Sequence, residues 1–175
     1  MRIAWMAVVG ALATTPLLAS ERPRGPFVGV LLGVGSSGCP IAPDEFRCLV
    51  DDQLFRAEGP SLGLELGWAL DHGLAVALEL EGVWDYDELG SQSRIGPTLR
   101  YAPLPWIWIG AGPVVGTATG TLGASESRLG VQVGGGLDAR WRRLGFGARA
   151  QHAWLGEGFS QLTVDLGLRW YFRRQ

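Results

Sequence analysis

Near the end of the sequence, the segment 159–172, FSQLTVDLGLRWYF, alternates in a way that leaves little choice of conformation. Leu162, Val164, Leu166, Leu168, Trp170 and Phe172 fall on one parity, and Gln161, Thr163, Asp165, Gly167, Arg169 and Tyr171 on the other. Successive side chains of an extended strand point to opposite faces, so this segment is a strand with one apolar and one polar face. The apolar face ends in aromatics.

The same period recurs along the chain. A second strand, Ser61–Leu70, sets Leu62, Leu64, Leu66, Trp68 and Leu70 against Gly63, Glu65, Gly67 and Ala69. A third, Leu74–Trp84, sets Leu74, Val76, Leu78 and Leu80 against Ala75, Ala77, Glu79 and Glu81. A fourth, Arg94–Tyr101, places Ile95, Leu99 and Tyr101 opposite Arg94, Thr98 and Arg100. The sixth, Arg128–Ala139, and the seventh, Leu144–Leu155, alternate similarly, with Asp138, Arg149 and Gln151 on their polar parities. The first strand, Pro26–Val34, and the fifth, Trp106–Gly116, are apolar or glycine on both parities, and their facing is not assignable from the pattern.

Polar stretches at 35–59, 85–93 and 117–127 separate these strands in alternation with short turns at Asp71-His72-Gly73, Ala102–Pro105 and Arg140–Arg143. Gly156–Gly158 precedes the last strand. Pro97 and Pro113 fall inside strands, where proline removes a ladder hydrogen bond; they mark bulges or a misplaced boundary.

Residues 1–20 begin with Arg2, continue through an apolar core and end in small residues, as a secretory signal peptide does, with cleavage after Ala19 or Ser20. Residues 21–175 then form one domain of about 155 residues, enough for eight membrane strands of 9–11 residues and their connections. No other apolar run reaches the ~18 residues of a membrane helix. With 47% hydrophobic and 18% charged residues, the mature chain favours strands if it crosses a membrane at all. A net charge of −2 gives no reason to expect a nucleic-acid partner.

A soluble barrel would alternate too, with its apolar face inward. Here the polar parity carries mostly Gly, Ala and Thr with single charges, which suits a narrow interior. Trp68, Trp84, Trp106, Trp108, Trp141, Trp154 and Trp170 all lie at or near strand ends, where aromatic girdles meet the two membrane interfaces. The reading is therefore all-β: a closed antiparallel up-and-down transmembrane barrel of about eight strands. In Asp165, Gly167, Trp170 and Phe172 the chain resembles the terminal signal read by the outer-membrane barrel-assembly machinery. The whole pattern resembles the small eight-stranded bacterial outer-membrane barrels of the OmpA/OmpX type. The resemblance implies outer-membrane lipids and the secretion and assembly machineries as partners, a monomer, and no cofactor or metal.

The inward parity collects Glu65, Glu79, Glu81, Asp138 and Asp165 against Arg94, Arg100, Arg140, Arg149 and Arg169, a near-neutral set. If the first turn pairs Leu70 with Leu74, Glu65 faces Glu79, and two carboxylates in a narrow lumen need a cation between them. Arg149, also facing Asp165, is the candidate for that cation, and the expected lumen is plugged by ion pairs.

Cys39 and Cys48, in an exported chain, read as a disulfide worth roughly 2–3 kcal/mol on the chain-entropy model; their spacing fits no metal or redox motif. The acidic pairs Asp44-Glu45 and Asp51-Asp52 read as solvated loop surface. Three functions compete: a structural or surface-interaction barrel, a narrow pore for small solutes, and a lipid-modifying enzyme. The enzyme reading would use His152, Ser160 and Glu157 as a His/Ser/acid set, and the local sequence lacks the deacylase pattern. The chain is read as no enzyme.

Overall fold

A computed structural model describes residues 24–38, 57–84, 90–120, 125–156 and 159–172. The expected signal peptide, the Cys39–Cys48 disulfide and Glu157 lie outside them. Eight strands close into a barrel in sequence order, the first pairing with the eighth. They are β1 (Gly25–Gly38), β2 (Ala57–Ala69), β3 (Leu74–Trp84), β4 (Gly90–Leu104), β5 (Ile107–Gly120), β6 (Ser125–Trp141), β7 (Leu144–Trp154) and β8 (Ser160–Tyr171). Every neighbouring pair is antiparallel, so the closed ladder leaves no open edge.

Burial follows the sequence parity. Leu62, Leu64, Leu66 and Trp68 of β2 are exposed, whereas Ser61 and Glu65 are buried. On β8, Leu162 to Phe172 present an apolar outer face about 33 Å long at roughly 3.3 Å per residue, or about 25 Å high at a tilt of 35–45°. That is the height of an outer-membrane apolar band.

The two unassigned strands resolve through the glycines of their neighbours. On β1, Phe27 and Leu31 point inward and Val30, Leu32 and Val34 outward. Leu31 fits because both its cross-strand partners are Gly63 and Gly167; a Cβ on either would meet a Leu31 methyl at 3.0 Å. On β5, Trp108, Val114 and Ala118 are buried, and Ile109 and Val115 exposed.

Strands extend further into the polar stretches than the pattern implied: β1 reaches Gly38, β4 begins at Gly90, β5 ends at Gly120 and β6 starts at Ser125. The expected loops 85–93 and 117–127 are correspondingly shorter. Hydropathy marks where the apolar outer face ends, whereas the backbone ladder continues beyond it. The prolines mark neither a bulge nor a boundary. Pairing resumes from Ile95↔Val115 to Leu99↔Ala111 with equal numbers of residues on each strand, which sets Pro97 across from Pro113. Their missing N–H groups fall on one shared interruption, while Pro97 still pairs with Leu78 of β3 and Pro113 with Val131 of β6. The irregularity of β4–β5 lies instead between Tyr101 and Leu104.

Candidate functional site

The inward parities of six strands meet in the lumen as a connected array of charges. Glu65 and Glu79 are direct cross-strand partners, as the turn predicts. The cation shared by the two is Arg100, a correction to the expectation for Arg149. Arg100 Nη2 donates to Glu65 Oε2 at 2.5 Å and to Glu79 Oε1 at 2.9 Å. Depth along the barrel explains the difference: Arg100 pairs with Ala75, near the tight turn, whereas Arg149 pairs with Gly136 and Asp165 further in.

Arg149 binds three carboxylates. Its Nη1 donates to Glu79 Oε2 at 2.7 Å, its Nε to Asp165 Oδ2 at 3.0 Å, and its Nη2 to Glu81. Asp165 also accepts from Ser61 Oγ at 2.5 Å. Arg94 Nη2 donates to Glu81 Oε2 at 2.7 Å, to Thr163 Oγ1 at 2.9 Å and to Gln151 Oε1 at 3.1 Å. Arg169 joins Glu65 to Asp138. The result is one chain of alternating sign: Arg94, Glu81, Arg149, Glu79, Arg100, Glu65, Arg169, Asp138, with Asp165 as a branch on Arg149.

All but Asp138 are buried. Buried charges persist only when paired and hydrogen-bonded, and removing one partner typically leaves a penalty of about 3–5 kcal/mol. Arg140, expected in this set, stands apart. Its guanidinium lies over the Tyr171 ring at 4.9 Å, and its Nε donates to the Arg142 carbonyl at 3.1 Å.

Apolar layers flank the charges. Phe27, Ala69, Ala77 and Tyr171 pack at the end where the tight turns lie. Val114, Ala118, Ala153, Leu155 and Phe159 pack at the opposite end. A cavity of about 70 Å³ near the tight turns is lined by Arg100, Trp108, Arg169 and Tyr171 among others, and a void of about 10 Å³ at the other end by Gln92, Leu155 and Phe159.

Trp108 corrects the girdle. It is 4% exposed and lies inside, 4.5 Å below the Arg100 guanidinium and 5.9 Å from that of Arg169. The signal was present in the sequence: Trp108 shares its parity with Gly110, Gly112 and Gly116, and glycine marks the inner face of a narrow barrel. Trp68, Trp106, Trp141 and Trp170 are exposed near the tight turns, and Trp84 and Trp154 at the opposite ends of their strands. In the terminal motif, Asp165 is buried in the charge array while Trp170 and Phe172 point outward.

Of the His/Ser/acid set, only His152 and Ser160 lie among the described residues. The His152 ring packs on Trp154 at 4.2 Å between centroids. Ser160 lies opposite Trp154 and is buried, and among the described residues no hydrogen bond joins it to His152.

The fold is that of small outer-membrane barrels. The crystal structure of Neisserial surface protein A superposes with a TM-score of 0.68 at 15% identity, covering 87% of this chain and 100% of that one. The crystal structure of Ail, the attachment invasion locus protein of Yersinia pestis, in complex with sucrose octasulfate, superposes with a TM-score of 0.52 at 12% identity, covering 86% and 99%. No protein-family model matches the chain, and no curated protein does.

Proposed function

We propose that the chain is an integral outer-membrane protein whose barrel is a plugged, non-conducting anchor. Its role is structural or one of surface interaction, carried by the connections at the end opposite the tight turns. The observation behind this reading is the alternating-sign chain from Arg94 to Asp138, which crosses the lumen through side chains of β2, β3, β4, β6, β7 and β8. Four arginines against five carboxylates, each in at least one ion pair, leave a net of a single negative charge, short of the one-sign excess of a charge-selective pore. The exposed apolar wall faces lipid, and the motif Asp165, Gly167, Trp170 and Phe172 is the element that the barrel-assembly machinery would engage after secretion. The closed ladder requires no second copy to satisfy its edges, which supports a monomer as the working unit.

The test is a gel of the mature protein refolded into detergent, boiled and unboiled, followed by planar-bilayer recording. A heat-modifiable band with electrical silence is the expected result. Discrete conductance steps from the folded protein would replace the plug with a narrow pore.

A further inference from the structure

We infer that the β6–β7 turn is a binding site for the phosphate headgroup of an anionic phospholipid in the leaflet at the tight-turn end; the inference rests on the membrane-barrel reading. Of Arg140, Arg142 and Arg143, none has a carboxylate within ion-pair distance among the described residues; Arg140 turns inward over the buried Tyr171 ring, and Arg142 and Arg143 form the turn itself. Every other described arginine is ion-paired: Arg24 with Asp71 at the same end, Arg128 with Glu126, and the four of the lumen.

The turn is built to hold these charges. Arg142 has φ of 57°, in the left-handed region where glycine or asparagine of a two-residue hairpin turn would sit with less strain. A bulky cation held there against its backbone preference points to a task for the side chain. Its guanidinium lies over the exposed Trp141 ring at 5.2 Å. Arg143 Nε is a buried donor without a hydrogen-bond partner among the described residues. A phosphate oxygen supplies what this donor lacks, and guanidinium matches phosphate geometry.

The neighbours place the site at the membrane interface. The Arg143 carbonyl accepts from Tyr171 N at 2.8 Å, which brings the end of β8 beside the turn. Leu144 pairs with Trp170, and Trp141, Trp170 and Phe172 are all exposed. Aromatics of this kind sit at headgroup level. Charge distribution favours the same leaflet: the segments 39–56 and 85–89 carry Asp44, Glu45, Asp51, Asp52, Asp85, Asp87 and Glu88 against Arg47 and Arg56. Those acidic segments would repel anionic headgroups, and the turn attracts them.

Native mass spectrometry of the refolded chain, offered equal amounts of phosphatidylglycerol and phosphatidylcholine, tests the site. Retention of phosphatidylglycerol should exceed that of phosphatidylcholine by about five-fold for each engaged arginine. Arg142→Gln with Arg143→Gln should bring the ratio near one. Arg142→Gly should keep the heat-modifiable band, since it relieves the left-handed strain, and lower the ratio. Equal retention by the wild type, or a ratio unchanged in both variants, overturns the inference. Displacement of the lipid by an equal concentration of soluble glycerol phosphate also overturns it, in favour of a free-phosphate site. Loss of the heat-modifiable band from the wild type would overturn the barrel reading itself.

Discussion

Glu65 and Glu79 face each other across the β2–β3 ladder, and a single nitrogen, Arg100 Nη2, donates to both. Two adjacent buried carboxylates remain ionised only with cations around them. Each has a second arginine, Arg169 on Glu65 and Arg149 on Glu79, so charge is shared along a chain rather than balanced in isolated pairs. Stability then depends on neighbours as much as on partners.

Arg100→Met should lower unfolding stability by about 3 kcal/mol, because it leaves the facing carboxylates without their common donor. Adding Glu79→Gln should recover part of that loss by removing the repulsion. Urea titration of the folded barrel, followed by tryptophan fluorescence, measures both. A double variant less stable than the sum of the single ones would refute the bridging role.

Arg149→Ala should be worse, at about 3–5 kcal/mol, because among the described residues Asp165 loses its one arginine and keeps Ser61. It also removes the central link of the plug, so bilayer recordings should gain small conductance steps. Unchanged stability together with unchanged silence would show that the network does not plug the lumen.

Trp106 and Trp108 are two residues apart in sequence, Trp106 exposed in the turn before β5 and Trp108 buried inside the barrel. In variants retaining a single tryptophan, brominated lipid should quench Trp106 and spare Trp108. Trp108→Ala should cost about 3–5 kcal/mol through the cavity it leaves, whereas Trp106→Ala should cost under about 1 kcal/mol. Equal quenching of the two would move Trp108 back to the girdle.

Pro97 and Pro113 face each other, so either replacement by valine returns one N–H to the β4–β5 ladder. Each should raise stability by about 0.5–1.5 kcal/mol, the net worth of a hydrogen bond. A shift of the urea midpoint to higher concentration at constant slope would register it. Destabilisation by both substitutions would mean that the interrupted pairing is itself required for packing.

Much of the wall was legible because a strand's period is two and a barrel has two chemically different sides. Leu62 to Leu70, Leu74 to Leu80 and Leu162 to Phe172 each state their facing directly. Where both parities are apolar, in β1 and β5, the facing depended on which cross-strand partners were glycine, and Trp108 was misplaced for that reason. Polar residues such as Gln92 and Ser125 read as loop although their backbones belong to strands, because hydropathy reports the solvent and not the ladder.

The sequence by itself determined the alternation, the eight strands, the lipid-facing side and the set of charges pointing inward, since all of these follow from period and residue type. It also determined that Glu65 meets Glu79, because a tight turn fixes the register of the hairpin it joins. Only the tertiary structure decided which arginine serves which carboxylate, that Pro97 meets Pro113, and that the cations of the β6–β7 turn lie beside the aromatics of β8 with no carboxylate in reach among the described residues. These relations depend on the register of every hairpin around the ring and on the length of each side chain across the lumen, and neither is written in any one stretch of sequence.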